Sequence, residues 1–174
     1  TFLNISGNMF ETLPSAISDA VKLKKLIAYN NVLTSIADVD FSKMADLTEI
    51  NFMKNYIAEI KDGTFAKNSH LLSVDLHDNQ LTNLSGSVFA GTFENSRGDG
   101  KLQKLDITLN NIRVVDPALM KKCDTSINKF YPQKTALSLT LKKDSDTQIS
   151  WSQDLSMLDL VFWFDQTVSD EQRE

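Results

Sequence analysis

A chain of 174 residues with 41% hydrophobic content is long enough for one well-buried core, or for a repeat array and part of a second unit. Its 23 acidic and 18 basic residues leave a net charge of -5, and no basic stripe interleaved with aromatics is present, so nucleic acid is not an expected partner. The single cysteine, Cys123, excludes an internal disulfide framework and a cysteine-based zinc site, and reads as a small apolar residue.

No apolar run approaches the roughly 20 residues that cross a bilayer, and the N-terminus lacks a basic region followed by an apolar stretch, so no membrane insertion is expected of this segment. The chain opens on "TFLNIS" and closes on "SDEQRE" without clear terminal caps, as a processed protein or an excised fragment would.

Taken in order, five stretches align on an asparagine: "LNISGNMFETL" (3–13), "LKKLIAYNNVLTSI" (23–36), "LTEINFMKNYIAEI" (47–60), "LLSVDLHDNQLTNL" (71–84) and "LQKLDITLNNIRVV" (102–115). Each fits L-x-x-L-x-L-x-x-N-x-L-x-x-L, the first without its leading leucine. The asparagines Asn8, Asn31, Asn55, Asn79 and Asn110 are 23, 24, 24 and 31 residues apart. A fixed period of this size marks a stacked repeat.

The L-x-L pairs Leu26/Ala28, Ile50/Phe52, Val74/Leu76 and Leu105/Ile107 alternate at period 2 and predict short parallel strands with one apolar face. Strands this short cannot bury that face alone, so each coil depends on its neighbours. The asparagines stand where the chain leaves the strand and are expected to form a ladder with backbone groups of adjacent coils. Phe41, Phe65 and Phe89, each five residues past the last motif position, should fill the opposite side with Met120, Ile17 and Met44. Asn68, at an otherwise apolar position there, and Ala28, in place of a leucine, predict thinner local packing.

This pattern over residues 1–130 resembles the leucine-rich-repeat family, in its typical class with a 24-residue period. The resemblance implies an α/β fold: a right-handed, curved solenoid with a parallel β-sheet on the concave face and short helices or 3-10 turns on the convex face. The extra residues between the fourth and fifth units lie in "GTFENSRGDGKL" (91–102), a glycine-rich exposed loop. It holds Arg97, Gly98 and Asp99, an adhesion-type tripeptide, but three residues in such a turn arise easily by chance and read first as an ordinary insertion.

Beyond Cys123 the pattern decays, and "FYPQKT" reads as a boundary. "ALSLTLKK" alternates as a strand, "KDSDTQ" reads as a turn carrying Asp144 and Asp146, and the alternation from Leu158 to Asp165 favours another strand. Residues 131–174 are therefore expected to form a β-rich segment, either a cap on the array or the start of an immunoglobulin-like module. The junction resembles that of internalin-like arrays in bacterial surface proteins, and the lack of cysteine-rich flanks argues against the animal extracellular subclass.

Register assigns one concave column to Asn4, Ile27, Asn51, Asp75 and Asp106. The next holds Ser6, Tyr29, Met53, His77 and Thr108, and a third Gly7, Asn30, Lys54, Asp78 and Leu109. With strands about 4.8 Å apart, Ile27, Tyr29 and Met53 form an apolar patch beside a polar one of Asp75, His77, Asp78 and Asp106. The candidate ligand-binding residues are Ile27, Tyr29, Asn51, Met53, Asp75, His77, Asp78, Asp106 and Thr108.

Metal binding and catalysis are the weaker readings. His70 precedes the strand and cannot join His77, an open sheet offers no water-excluding pocket, and neither a phosphate loop nor a nucleophile motif is present. The expectation is a non-enzymatic module without cofactor that binds a protein or glycan, in a secreted or cell-surface bacterial protein. The competing reading is a structural spacer that positions another domain.

Overall fold

The computed structural model describes residues 1–93, 102–122, 129–130, 133, 141–145 and 148–151, which divide between two units, Thr1–Thr135 and Ala136–Glu174. In the first unit the five L-x-L segments each contribute a three-residue strand: β1 Phe2–Asn4, β2 Lys25–Ile27, β3 Glu49–Asn51, β4 Ser73–Asp75 and β5 Lys104–Asp106. They pair in parallel in sequence order. Leu3, Leu26, Ile50, Val74 and Leu105 stand side by side in one register column.

The strands are short because the chain turns at the same point in every coil. Gly7, Asn30, Lys54, Asp78 and Leu109 all have φ between 53° and 68°, the left-handed region. Glycine and asparagine enter that region at little cost, whereas a leucine does not. The geometry persists because the turn N–H groups continue the ladder: those of Gly7, Asn30, Lys54 and Asp78 donate to the carbonyls of Tyr29, Met53, His77 and Thr108.

Behind the sheet, Leu26, Ile50, Val74 and Leu105 and the second strand positions Ala28, Phe52, Leu76 and Ile107 are fully buried. The sequence points to thin packing around Ala28, and Ala28 is itself fully buried. The ring of Phe52 reaches edge-on toward Phe41 of the preceding coil, with centroids 6.4 Å apart. Phe41, Phe65 and Phe89 run on as an aromatic spine at 5.0 and 5.7 Å, packed with Met44.

Asn68 is likewise completely buried, and its amide donates to the carbonyls of Phe41 and Met44 at 2.9 and 2.8 Å. It replaces apolar contact with hydrogen bonds to the preceding coil. In helix Pro117–Lys122 Leu119 is buried; the side chain of Met120, expected on this side, is not among those described.

The return path carries 3-10 turns at Ser15–Asp19, Phe41–Lys43 and Gly86–Phe89, the last running into helix α1, Ala90–Phe93. Asp40 and Ser85 cap two of these turns by accepting from the N–H two residues on. Helix α2, Pro117–Lys122, starts on the pair Asp116 and Pro117: Asp116 accepts from Ala118 and from Gly86 of the preceding coil, and proline needs no partner at the first helical position. A β-carbon at Gly91 would collide with the Ala66 carbonyl, so only glycine fits that approach.

The asparagine ladder is the strongest tie between coils. Asn55 donates to Ala28 of the preceding coil and to Phe52 of its own, both at 3.0 Å, while its oxygen accepts from Leu33 at 3.0 Å. Asn31, Asn79 and Asn110 repeat the pattern. The ladder also continues past the last asparagine. Gln133 accepts from Asn110 and Ile112 and donates to Ile107 and Phe130, and Lys129 bridges in parallel to Asp106. Part of "FYPQKT" thus closes a further coil, with glutamine in the asparagine role.

In the second unit, strands β6 Leu141–Ser145 and β7 Gln148–Trp151 form an antiparallel hairpin. Lys143, Asp144 and Ser145, read as turn from sequence, belong to β6, because the hairpin connection is shorter than the polar stretch. Cys123, Asp146, the Arg97–Gly98–Asp99 loop, residues 136–140 and residues 158–165 lie outside the described residues.

Candidate functional site

The outward face of the sheet carries the predicted columns in register: Ile27 beside Asn51, Asn51 beside Asp75, and Asp75 beside Asp106. At the next outward position, Tyr29 is 37% exposed, and Met53 and His77 are half-buried. Among the described residues Tyr29, Met53 and Ile27 make no side-chain hydrogen bond or ion pair. Phe2, aligned with Lys25 on the same face, is exposed, and Tyr56, next to the ladder asparagine, is 50% exposed. Both extend the apolar character of the first three coils and were not among the candidates. Phe2 lies outside the three columns, but the same period-2 alternation, carried one position back to the column of Lys25, would have found it.

The acidic and amide residues of the first column have a duty that sequence reading missed. Asn51 accepts from the N–H of Met53, Asp75 from that of His77 and Asp106 from that of Thr108, at 3.0, 3.1 and 3.1 Å. Asn4 does the same for Ser6. A short side-chain oxygen capping the amide two residues on forms a local turn, which explains why this column is Asn or Asp in four of five coils. The signal was in the sequence as an Asx residue one place after the first inward strand position in four of the five coils.

Asp106 and Thr108, expected on the open face, are 8% and 6% exposed. The following segment covers them: Ile107 donates to the Lys129 carbonyl, Lys129 donates back to Leu105, and Phe130 is buried. Beneath this cover the Thr108 hydroxyl lies 2.6 Å from Asp106 Oδ1 and 2.7 Å from His77 Nδ1. The second oxygens of Asp75 and Asp106 face Lys104 and Lys129 at 4.0 and 3.9 Å. Asp78 is placed in the left-handed turn, so its first role is conformational.

The polar patch is therefore largely satisfied from within. His70 lies apart, its Nδ1 3.1 Å from the Ala45 carbonyl. Among the described residues no group of three or more His, Cys, Asp or Glu is placed to hold a metal ion, and no helix is long and apolar enough to cross a membrane. Open grooves lie off the strand face, one between residues 34–42 and 58–64, another between 58–62 and 82–85. Asp40 lines the first; the Ser42 hydroxyl, with the Ser42 N–H and Lys43, holds its carboxyl below the usual range against the opposing effect of desolvation.

Residues 45–92 match the family model described as leucine rich repeat. No curated protein matches the chain. The matched span holds two complete coils, and the parallel register and the asparagine ladder carry the same unit to β1, β2 and β5. The match covers residues 45–92, and in its repeat and parallel sheet the chain on either side of that span is similar to the same family.

Proposed function

We propose that the repeat array is a non-enzymatic recognition module of a secreted or cell-surface bacterial protein, and that its strand face, the concave side of the solenoid, binds a protein or glycan ligand. The observation that carries this reading is the apolar patch of coils two and three. Tyr29 stands exposed beside Met53 and Ile27, with no partner for its hydroxyl among the described residues and with charged pairs at the margin, such as Lys25–Glu49 at 2.6 Å. Aromatic and methionine side chains within a polar rim are the composition of a binding core. Leucine-rich-repeat domains commonly mediate protein binding, which agrees with this placement.

In this reading Ile27, Tyr29, Met53 and the His77 ring meet the ligand. Asn51, Asp75, Asp78, Asp106 and Thr108 hold the surface in shape. The test is capture of extracellular proteins and arrayed glycans by the immobilised chain, with and without Tyr29→Ala and Met53→Ala. Loss of the captured ligand from a folded double variant is the expected result. Equal capture would favour a spacer that leaves its face unused.

A further inference from the structure

We propose that Nε2 of His77 is a fixed hydrogen-bond acceptor on the strand face, and that its subsite takes a neutral donor, an amide N–H or a hydroxyl, from the ligand. This rests on the reading of the face as a recognition surface. The argument begins with one proton. A threonine hydroxyl has a single hydrogen and an ionised carboxylate only accepts. Thr108 Oγ1 is 2.6 Å from Asp106 Oδ1, so its hydrogen goes there. The same oxygen is 2.7 Å from His77 Nδ1 and must accept in that contact. Nδ1 therefore carries the ring proton, and in the neutral imidazole Nε2 is left with the lone pair.

The relay is built into the coil. Asp106 and Thr108 are both buried, Asp106 also accepts the Thr108 N–H, and the His77 backbone is tied at both ends, its N–H to Asp75 and its carbonyl to Lys54. Among the described residues the ring makes no other hydrogen bond. Met53 stands at the equivalent position of the preceding coil, two residues past Asn51, which pairs with Asp75. A donor arriving at Nε2 exchanges water for a bond to a preoriented acceptor, which is how a mostly apolar surface acquires specificity.

Protonation of Nε2 would replace the acceptor with a donor, so the subsite operates with the neutral ring. The charged groups around it are Asp75 paired with Lys104, Asp106 paired with Lys129, and Lys54 and Asp78 in the flanking turns. The Thr108 hydroxyl gives its proton to Asp106 and accepts from His77, and no group of three metal-binding side chains stands together among the described residues.

Long-range proton–nitrogen correlation on the labelled chain at about pH 8, above the ordinary histidine range, reads the tautomer directly. The wild type should show His77 protonated at Nδ1. Thr108→Ser should keep that form, and Thr108→Val should move it toward the Nε2–H form that free imidazole prefers, with the amide spectrum reporting an intact fold. Titration with N-methylacetamide should shift the His77 Nε2 resonance, and N,N-dimethylacetamide, which has the same carbonyl and no donor, should not. An Nε2–H ring in the wild type, or equal responses to the two amides, would overturn the proposal. Neither readout involves the natural ligand, so failed capture by the apolar patch and failure of this subsite are separate results.

Discussion

Coils two and three and coils four and five are built on the same backbone and spend their outward side chains differently. In the first pair Tyr29 is exposed and Ile27 and Met53 partly so, and among the described residues their side chains make no hydrogen bond. In the second pair Asp75 and Asp106 cap turns, Thr108 bridges His77 to Asp106, and lysines stand against both carboxylates. A repeat scaffold thus separates two questions that are tangled in most folds: what holds a coil, and what a coil displays. The lesson is that polar residues on a repeat face belong first to the turn they cap, and only the unbonded remainder is a candidate for recognition.

The comparison breaks if the scaffold under the two halves is not equivalent. Asn55→Ala and Asn79→Ala each strand buried carbonyls and one N–H, so each should cost about 3 kcal/mol or more in urea unfolding, and by similar amounts. A large inequality would mean that the coils are held in different ways. The comparison sharpens at the face itself. Asp106→Ala should cost about 1–2 kcal/mol, since it abandons the Thr108 N–H and hydroxyl, whereas Tyr29→Ala should change stability by about 0.5 kcal/mol or less. Comparable losses would show that Tyr29 is structural.

A third test concerns the left-handed turn shared by both halves. Leu109 occupies a backbone conformation that disfavours its side chain, and Leu109→Gly should raise the unfolding free energy by up to about 1 kcal/mol, while Gly7→Ala should lower it. The smallest effect belongs off the face, at Asp40. Its carboxyl is held below the usual range by Ser42, so its contribution is present above the unfolded-state value and fades as pH falls through the lowered folded one. Ser42→Ala should flatten that part of the acid-unfolding curve.

Much of this was legible before any coordinates. Leucine and asparagine spacing alone placed β1 to β5, their register and the buried spine of Phe41, Phe65 and Phe89, because period and side-chain alternation leave a parallel stack as the way to bury those residues. The cover over Asp106 and Thr108 was not legible. It depends on Gln133 acting as an asparagine, and a longer amide after a proline breaks the letter pattern while keeping the chemistry. Asn68 misled for the opposite reason: a polar letter at an apolar position reads as a defect until the two carbonyls it meets are known. Which of the outward side chains are engaged depends on contacts between coils that no single repeat contains.

The most direct test of the contrast between the two halves is the dissociation constant of a captured ligand for Tyr29→Ala and Asp75→Asn, measured side by side. Asparagine can cap the same turn as aspartate, as Asn51 does one coil earlier. The expected result is a loss of about tenfold or more for Tyr29→Ala and a change within about twofold for Asp75→Asn. The reverse order, with Asp75→Asn abolishing binding and Tyr29→Ala leaving it intact, would contradict the assignment of recognition to the apolar half.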